Sequence, residues 1–291
     1  MVTPGVGGLS EAAAALREWQ VDRAPMQLHP GDLGFHWRDG ADTTAAAVRV
    51  WSRGSRIVAV GLLDAAQLLR MAVAPDLQVD DELIQRILAD IVEPERGVLD
   101  AGRAIVEARC GPLLSQALLD RGWQHDEAWT PLHRDLTDPV PAGGLRMETI
   151  GPDGADEWQA VHWSAFRGTP MSDTDRRTAR NRWLAMAAST PYSGARCLTA
   201  FDEHGNAVAV AGVWSAGRGR PGLLEPIGVH ADHRGRGHGR AISLAAAAAL
   251  REMGASSAIV CTPSANVGAV ATYAAAGFER FPDARDLRRD D

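Results

Sequence analysis

The chain has 291 residues, 45% of them hydrophobic and 23% charged, and this globular composition excludes a fibrous or disordered protein. Its net charge of −7 argues against a general nucleic-acid binder, and no apolar run approaches the ~20 residues that a membrane-spanning helix needs. The length fits two domains of about 140 residues each.

Cysteine usage and the N-terminal residues indicate a cytoplasmic protein. Cys110, Cys197 and Cys261 are far apart and form no CxxC pair, which favours reduced thiols over disulfides and indicates no zinc site. The first residues lack the basic and apolar order of a secretory signal. We therefore expect neither a membrane nor a nucleic-acid partner.

The first half shows a weak alternation of strand and helix signals. Short apolar runs predict a hairpin, a strand, a helix, a strand, a helix and a last strand, over 47–50, 56–62, 69–73, 81–91, 104–108, 112–119 and 129–136. Two prolines and two glycines follow in residues 136–144, LTDPVPAGG. We place the linker there, which gives domains 1–138 and 145–291.

The second half shows the same order more strongly. The pattern predicts a strand, two helices, a hairpin, a strand, a Gly-rich loop, a helix, a strand, a helix and a broken strand, over 145–150, 156–166, 174–188, 195–200, 207–214, 223–229, 240–253, 258–261, 266–276 and 278–287. This order predicts a mixed α/β layer with one parallel crossover, and the weaker first half predicts an internal repeat.

The charge differs between the two halves. Residues 1–140 contain 13 arginines and 21 acidic residues, whereas residues 141–291 contain 17 arginines and 16 acidic residues. An anionic ligand should therefore prefer the second half and a cationic ligand the first.

The segment 229–239, VHADHRGRGHG, joins an apolar strand to a helix through three glycines. Glycines let backbone amides turn inward, and the helix directs its free N–H groups to the same place, so the segment predicts a pyrophosphate site. The segment lacks the Gly-Lys-Ser/Thr of a Walker loop. It also lacks the glycine spacing and the acidic residue of a dinucleotide-binding loop. The pattern R-x-x-G-x-G fits, from Arg234 through Gly237 to Gly239.

With this loop, the sequence resembles the GNAT superfamily of acyl-CoA-dependent N-acyltransferases. A second signature of that family is similar to residues 266–278, with Asn266, then Tyr273 seven positions on, and a terminal Gly-Phe pair. The resemblance covers residues 145–289 and implies an α/β protein with two GNAT-like mixed-sheet domains in tandem. This arrangement is similar to that of mycothiol acetyltransferases, although no motif identifies their substrate.

The first half resembles a degenerate copy of the second. The first-half segment equivalent to 234–239 is 78–83, QVDDEL. It contains no glycine, and its three carboxylates would repel a pyrophosphate. Leu118 stands in place of Tyr273, and Gly111 in place of Asn266. We therefore expect the N-terminal domain to be a non-catalytic scaffold that closes one side of the acceptor site.

The resemblance implies which residues bind acyl-CoA. Amides around Val229 would bind the thioester carbonyl and pantetheine where two strands splay, and amides of 236–240 would bind the pyrophosphate. Asn266 would hydrogen-bond the pantetheine arm, although a plain N-cap looks the same in sequence. The implied site comprises Ile227, Gly228, Val229, Arg234, Gly235, Arg236, Gly237, His238, Gly239, Arg240, Asn266, Ala269 and Tyr273.

Two residues are candidates for the chemistry. By the resemblance, the Tyr273 phenol would protonate the departing sulfur, unless it is a packed helix residue. Glu225 lies on the strand leading to Val229, with Ile227 on the same face by two-residue alternation. It is the candidate general base, or it only binds a cationic amine or has a structural role.

The remaining candidates concern the acceptor, metals and thiols. By the resemblance, residues of the first helix and third strand of the second half would line the acceptor pocket, or else belong to the core: His162, Trp163, Phe166, Arg167 and Trp214. The spacing of His230, His233 and His238 fits no zinc site, so we expect no metal. Cys261 is expected to be a small buried residue, not a nucleophile.

These features predict an N-acetyltransferase that moves an acetyl group from acetyl-CoA to the primary amine of a small molecule, by direct transfer in a ternary complex. The acidic first half suits a cationic acceptor. We expect a monomer or homodimer. Two alternatives stay open: a non-catalytic acyl-CoA-binding sensor or scaffold, and a transferase that uses a carrier-protein or aminoacyl donor instead of CoA.

Overall fold

The computed structural model describes residues 1–290. Its helices are α1 (Leu9–Glu18), α2 (Pro30–His36), α3 (Ala41–Ala47), α4 (Asp81–Val92), α5 (Pro112–Asp120), α6 (Ala155–Arg167), α7 (Asp173–Ala187), α8 (His238–Glu252) and α9 (Val267–Ala275). Its strands are β1 (Val48–Arg53), β2 (Arg56–Ala65), β3 (Leu68–Val73), β4 (Ala104–Glu107), β5 (Gln124–Asp135), β6 (Arg146–Thr149), β7 (Ala195–Phe201), β8 (Ala207–Trp214), β9 (Gly222–Val229), β10 (Ser257–Pro263), β11 (Glu279–Arg280) and β12 (Ala284–Arg289).

One continuous mixed sheet runs through both halves of the molecule. Its strand order is β1-β2-β3-β4-β12-β5-β10-β9-β8-β7-β6, with β11 paired to β5 outside this path. The pairs β3–β4 and β9–β10 are parallel. They occupy equivalent places in the two halves, so the predicted α/β fold with a repeated mixed-sheet unit is confirmed.

The two halves exchange their last strands. β5, from the first half, pairs with β10, while β12, at the end of the chain, pairs with β4. A buried ion pair fastens the exchange, because the Arg109 guanidinium donates two hydrogen bonds of 2.9 Å to the Asp286 carboxylate. Residues 136–145 contain no helix or strand, and the division into domains 1–138 and 145–291 stays a prediction.

Helices cover both faces of the second-half sheet. On one face, Ile242 and Leu250 of α8 pack against Val260 in a buried cluster. On the other face, Trp158 of α6 and Trp183 of α7 are fully buried against the sheet. The edge left between these layers, at the carboxyl end of β9, is where the candidate site lies.

The sequence patterns predicted no element before residue 47, yet α1, α2 and α3 lie there. α2 has only seven residues and begins with a capping box between His29 and Asp32. It docks on the second half through Gly31 and Gly34, where an added Cβ would lie 2.4 Å from Trp214 atoms in each case. Such a helix depends on tertiary packing, which leaves little trace in local periodicity.

In the described part of the chain, no helix is both long enough and apolar enough to cross a bilayer.

Candidate active site

Strands β9 and β10 are hydrogen-bonded neighbours at one end only. Their parallel register joins Gly222 to Ala258 and Leu223 to Ile259, and within residues 1–290 the rest of β9 pairs with β8 alone. Pro226, which has no N–H to donate, lies where the β8–β9 register shifts. The strands therefore diverge beyond Leu223, and one edge of β9 borders a gap in the sheet.

Two cavities adjoin at this gap. The inner cavity, of about 660 Å³, is bordered by 224–227 of β9, 260–263 of β10 and the helices α6 and α7. The loop groove, of about 800 Å³, lies between residues 233–243 and α9. Both cavities are lined by Phe166, Ile227, Asn266, Ala269 and Tyr273. A ligand that filled the groove could therefore present one end to the inner cavity.

The loop groove ends at a helix N-terminus whose amides have no side-chain cap. Gly237 is the N-cap of α8, with a left-handed φ of +82° that glycine adopts without steric penalty. The first turn of α8 contains no acidic residue. Free N–H groups and the helix dipole together favour an anion at this position.

Two of the three loop arginines add charge to the groove. Arg234 donates to the Ala165 carbonyl at 2.8 Å, and Arg240 donates to the Ala275 carbonyl at 2.9 Å. A carbonyl fixes a guanidinium without neutralising its charge, so both arginines remain available to an anion. The exposed Arg236 side chain lies outside the groove, at a separate cavity. The groove lining does not include Arg236, so its place in the acyl-CoA site stays a prediction.

The remaining residues of the implied acyl-CoA site lie in the groove wall: Gly228, Val229, Gly235, His238 and Gly239. The rings of His230 and His233 lie 5.4 Å apart, and those of His233 and His238 lie 6.2 Å apart. Across residues 1–290, no group of three histidine, cysteine or carboxylate side chains is arranged to hold a metal ion.

Asn266 is the N-cap of α9. Its Oδ1 accepts a hydrogen bond of 3.1 Å from the Ala269 amide, so this oxygen caps the helix, as the alternative interpretation of the sequence predicted. The residue also lines both cavities. Its side-chain NH₂ group supplies donors that the cap does not use.

Tyr273 lies on α9 where the two cavities meet, and it is 7% exposed. Burial raises the pKa of its phenol well above the ordinary value, and the nearby Glu225 and Cys261 raise it further. The phenol is therefore protonated at neutral pH, which suits a proton donor.

Glu225 lines the inner cavity on the opposite strand from Cys261. Burial raises the pKa of its carboxyl to about 7, and the positive charge of Arg70 opposes this shift while Asp32 adds to it. A carboxylate poised near neutral pH can accept a proton from an amine. Ile227, expected on the same face, also lines this cavity, whereas Val229 lines the loop groove only.

The Arg70 group that acts on Glu225 belongs to the first half of the chain. Arg70 donates to Asp32 at 2.9 Å and to Glu107 at 3.1 Å. The first half thus contributes buried charges next to the candidate base, although its own loop resembles no binding site.

Cys261 is half-buried at the inner cavity. Burial raises the pKa of its thiol to about 11, and Arg109 donates to its sulfur at 3.4 Å. A protonated thiol is a poor nucleophile, which fits the expectation that Cys261 has no covalent role.

Four of the five predicted acceptor residues line the inner cavity: His162, Trp163, Phe166 and Arg167. His162 stacks on Trp158 with ring centroids 5.2 Å apart. Burial lowers the pKa of His162 to about 4, and the positive charges of Arg38, Arg167 and Arg182 lower it further. The imidazole is therefore neutral at neutral pH.

Trp214, the fifth predicted acceptor residue, lies outside the inner cavity. Its indole is 2% exposed beneath Gly31 and Gly34 of α2, and its Nε1 donates to the Glu225 carbonyl at 2.7 Å. The prediction failed because the face of β8 that should look at the acceptor is covered here by a helix from the first half. Trp214 instead fixes the backbone that bears Glu225.

Sequence reasoning missed several residues that line the inner cavity, namely Phe35, Arg38, Trp129, Trp158 and Arg182. Phe35, within α2, and Arg38, just after α2, come from the first half. Nothing in their local sequence pattern indicates a site, because tertiary docking alone brings them there. Arg182 could have been noticed as a basic residue beside the buried Trp183 on α7.

Comparison with known proteins finds a family match in the second half. Residues 155–278 match the model of the acetyltransferase (GNAT) family. The mycothiol acetyltransferase of Thermobispora bispora is 32% identical over 162 residues, which cover 52% of this chain and 53% of the relative. The chain thus aligns with about half of the length of that curated relative.

Solved structures match nearly the whole chain in fold. A tandem GNAT protein from the clavulanic acid biosynthesis pathway has a TM-score of 0.59 and 18% identity, with 98% of this chain and 94% of that one covered. A GCN5-related N-acetyltransferase from Sphaerobacter thermophilus has a TM-score of 0.56 and 19% identity, with 99% and 94% covered. Residues 155–278 are thus similar to the acetyltransferase domains of the GNAT family, within a chain that has the fold of tandem GNAT proteins.

Proposed function

We propose that this protein transfers an acetyl group from acetyl-CoA to the primary amine of a small molecule, directly within a ternary complex. The observation that carries the proposal is the junction of the loop groove with the inner cavity at Tyr273. One cavity has the charge and the open helix end that a donor's phosphates need. The other contains a candidate base.

The loop groove suits the donor. The uncapped N-terminus of α8 and the side chains of Arg234 and Arg240 provide for the pyrophosphate. The edge of β9 beyond Leu223 has no strand partner within the described residues, and its backbone groups can bind an extended pantetheine arm as a neighbouring strand would. This chain's own backbone would thus hold the thioester at the gap.

Glu225 prepares the amine. An alkyl amine arrives mostly protonated at neutral pH, and only its neutral form is nucleophilic. A carboxylate with a pKa of about 7, at the inner cavity, accepts that proton directly or through a water.

Tyr273 completes the transfer. The amine nitrogen forms a bond to the thioester carbon, and the carbon–sulfur bond breaks. The phenol gives its proton to the departing thiolate and regains one from solvent. Glu225, which has passed the first amine proton to solvent, takes the second proton that the nitrogen loses on acylation. The mycothiol acetyltransferase among the relatives supports acetyl as the transferred group.

The test is incubation of the full chain with acetyl-CoA and a panel of primary amines, with free thiol release and the mass of the product as readouts. We expect thiol release that depends on one class of amine, with an acetylated product. Acetyl-CoA binding by calorimetry without thiol release for any amine would favour the sensor alternative. No binding of acetyl-CoA at all would favour a donor other than CoA.

A further inference from the structure

Charges in the inner cavity are mainly positive. Arg38, Arg167 and Arg182 line it, against the single carboxylate of Glu225. His162 lies among these arginines as a neutral imidazole, so it adds no charge. An acceptor that carried only positive charge would meet three guanidiniums here, contrary to the expectation from the acidic composition of the first half.

The first-half and second-half arginines meet at one carboxylate. Asp39 lies 2.6 Å from Arg182 and 3.7 Å from Arg38. One carboxylate neutralises about one of the two guanidiniums, so this pair keeps a net positive charge. Asp39 itself is absent from the cavity lining.

Donor groups of this pair lack acceptors. Arg38 Nη1 and Arg182 Nε are buried and have no hydrogen-bond partner in residues 1–290. The Arg38 guanidinium lies over the Phe35 ring, 3.8 Å from its centroid, which holds it in place. A buried donor without a partner is destabilising, and an anionic oxygen is the partner that a guanidinium binds best.

We propose that the acceptor is an amino carboxylate, whose carboxylate binds Arg38 and Arg182 while its amine faces Glu225. This inference rests on the proposed function and specifies its substrate class. It also gives the first half a direct part in acceptor recognition, through Arg38. The cavity of about 660 Å³ has room for an amino-acid-sized molecule, with aromatic walls at Trp158 and Trp163 for its apolar part.

The experiment compares α-amino acids with their carboxamides, which keep the amine and the side chain but lose the charge. With the best α-amino acid, we expect kcat/KM about 10- to 100-fold above that of its carboxamide, since hydrogen bonds to a charged group are lost in the amide. Arg38→Gln should raise KM for the amino acid by a similar factor, change kcat little, and leave the carboxamide unaffected. Arg38→Lys should restore part of the preference.

Controls separate this inference from the proposed function and from misfolding. Arg180 lies on the same helix as Arg182, but it pairs with the exposed Asp156 at 2.6 Å. Arg180→Gln should therefore leave the preference for amino acids over carboxamides unchanged. Acetyl-CoA affinity, measured by calorimetry, should be unchanged in Arg38→Gln.

Two results would overturn the inference alone: equal use of amino acids and carboxamides, or a preference for diamines or aminophosphonates over amino acids. In either case acetyl transfer itself would stand. Failure of every amine to release thiol would instead overturn the proposed function, and this inference with it.

Discussion

The loop–helix segments that follow β3 and β9 occupy equivalent places in the two halves of the molecule. Only the segment after β9 leaves the N-terminus of its helix without a side-chain cap. At the start of α4, the Asp80 side chain accepts a hydrogen bond of 2.9 Å from the Leu83 amide, and Asp81 and Glu82 follow in the first turn. At the start of α8, Gly237 makes no side-chain cap, and no acid follows. An equivalent position in the fold is therefore not sufficient to make an anion site. The N-terminus of the helix must also be uncapped.

The space beside the two loops differs as well. In the second half, the loop groove lies between the loop residues 233–237 and α9, and α8 itself contacts α9 only from Gly239 on, where an added Cβ would be 2.9 Å from the Thr272 side chain. In the first half, the N-cap of α5 lies against the equivalent loop, because a Cβ on Gly111 would be 2.9 Å from the Gln78 Cβ and 3.0 Å from its carbonyl oxygen. The first-half loop is thus closed by packing as well as by charge.

Removal of the phenol is the largest expected effect, and it targets a group that only the second half has. Tyr273→Phe should lower kcat by about 10²- to 10⁴-fold, because the departing thiolate loses its proton donor. Acetyl-CoA affinity should stay within about twofold of the wild type. Steady-state kinetics and calorimetry measure the two quantities.

Tyr192→Phe is the matched control, since the chain has only two tyrosines. Tyr192 packs edge-on against Trp183 and Trp214 and does not line the inner cavity. An unimpaired kcat in Tyr273→Phe, or an equal loss in both variants, would remove Tyr273 from the mechanism.

Placing an acid in the second-half loop should convert it toward the first-half loop. Gly237→Asp adds a carboxylate at the N-cap of α8, and we expect acetyl-CoA affinity to fall by about 100-fold through repulsion and capping. Gly219→Asp is the control, because exposed Gly219 has the same left-handed backbone, with φ of +72° and no atom near its Cβ. Equal affinity losses in the two variants would mean that the charge at the loop is irrelevant.

The pH dependence of kcat/KM tests the contribution of the first half, because buried charges of the first half act on the pKa of Glu225. The base works only when deprotonated, so kcat/KM should fall about tenfold per pH unit below a pKa of about 7 and level off above it. Glu225→Gln should lose both rate and this limb of the profile. If the decrease of kcat/KM at low pH persists in Glu225→Gln, the titrating group is a residue other than Glu225.

The smallest expected effect comes from opening the first-half helix. Asp80→Ala removes an N-cap and should lower the free energy of unfolding by about 1 kcal/mol, measured by urea titration. It should confer no acetyl-CoA binding, because the loop still lacks glycines and space. Ser172→Ala, which removes the N-cap of α7, should cost a similar amount. A gain of acetyl-CoA binding at the first-half loop in Asp80→Ala would show that the Asp80 cap alone prevents binding there.

Much of the second half could be predicted from sequence, since local signals determine it. β8 begins and ends where alternation predicted, and α8 begins only two residues earlier than expected, because Gly237 serves as its N-cap. The open helix end could be predicted for the same reason: glycines and charges within one loop create it.

The acceptor side could be predicted only in part. Residues on α6 were found because the equivalent helix faces the acceptor in the GNAT fold that the sequence resembles. Arg38 was missed and Trp214 misplaced for one shared reason, namely that the seven-residue α2 docks across the halves and covers β8. The strand exchange was missed too, because β5 and β12 read as equivalent tails of two separate sheets.

Calorimetric titration of acetyl-CoA into the full chain measures how many loops bind the donor. We predict one site per chain, at the loop groove, with the same stoichiometry in Asp80→Ala and binding severely weakened in Gly237→Asp. Two sites per chain, or one site that survives intact in Gly237→Asp, would contradict this prediction.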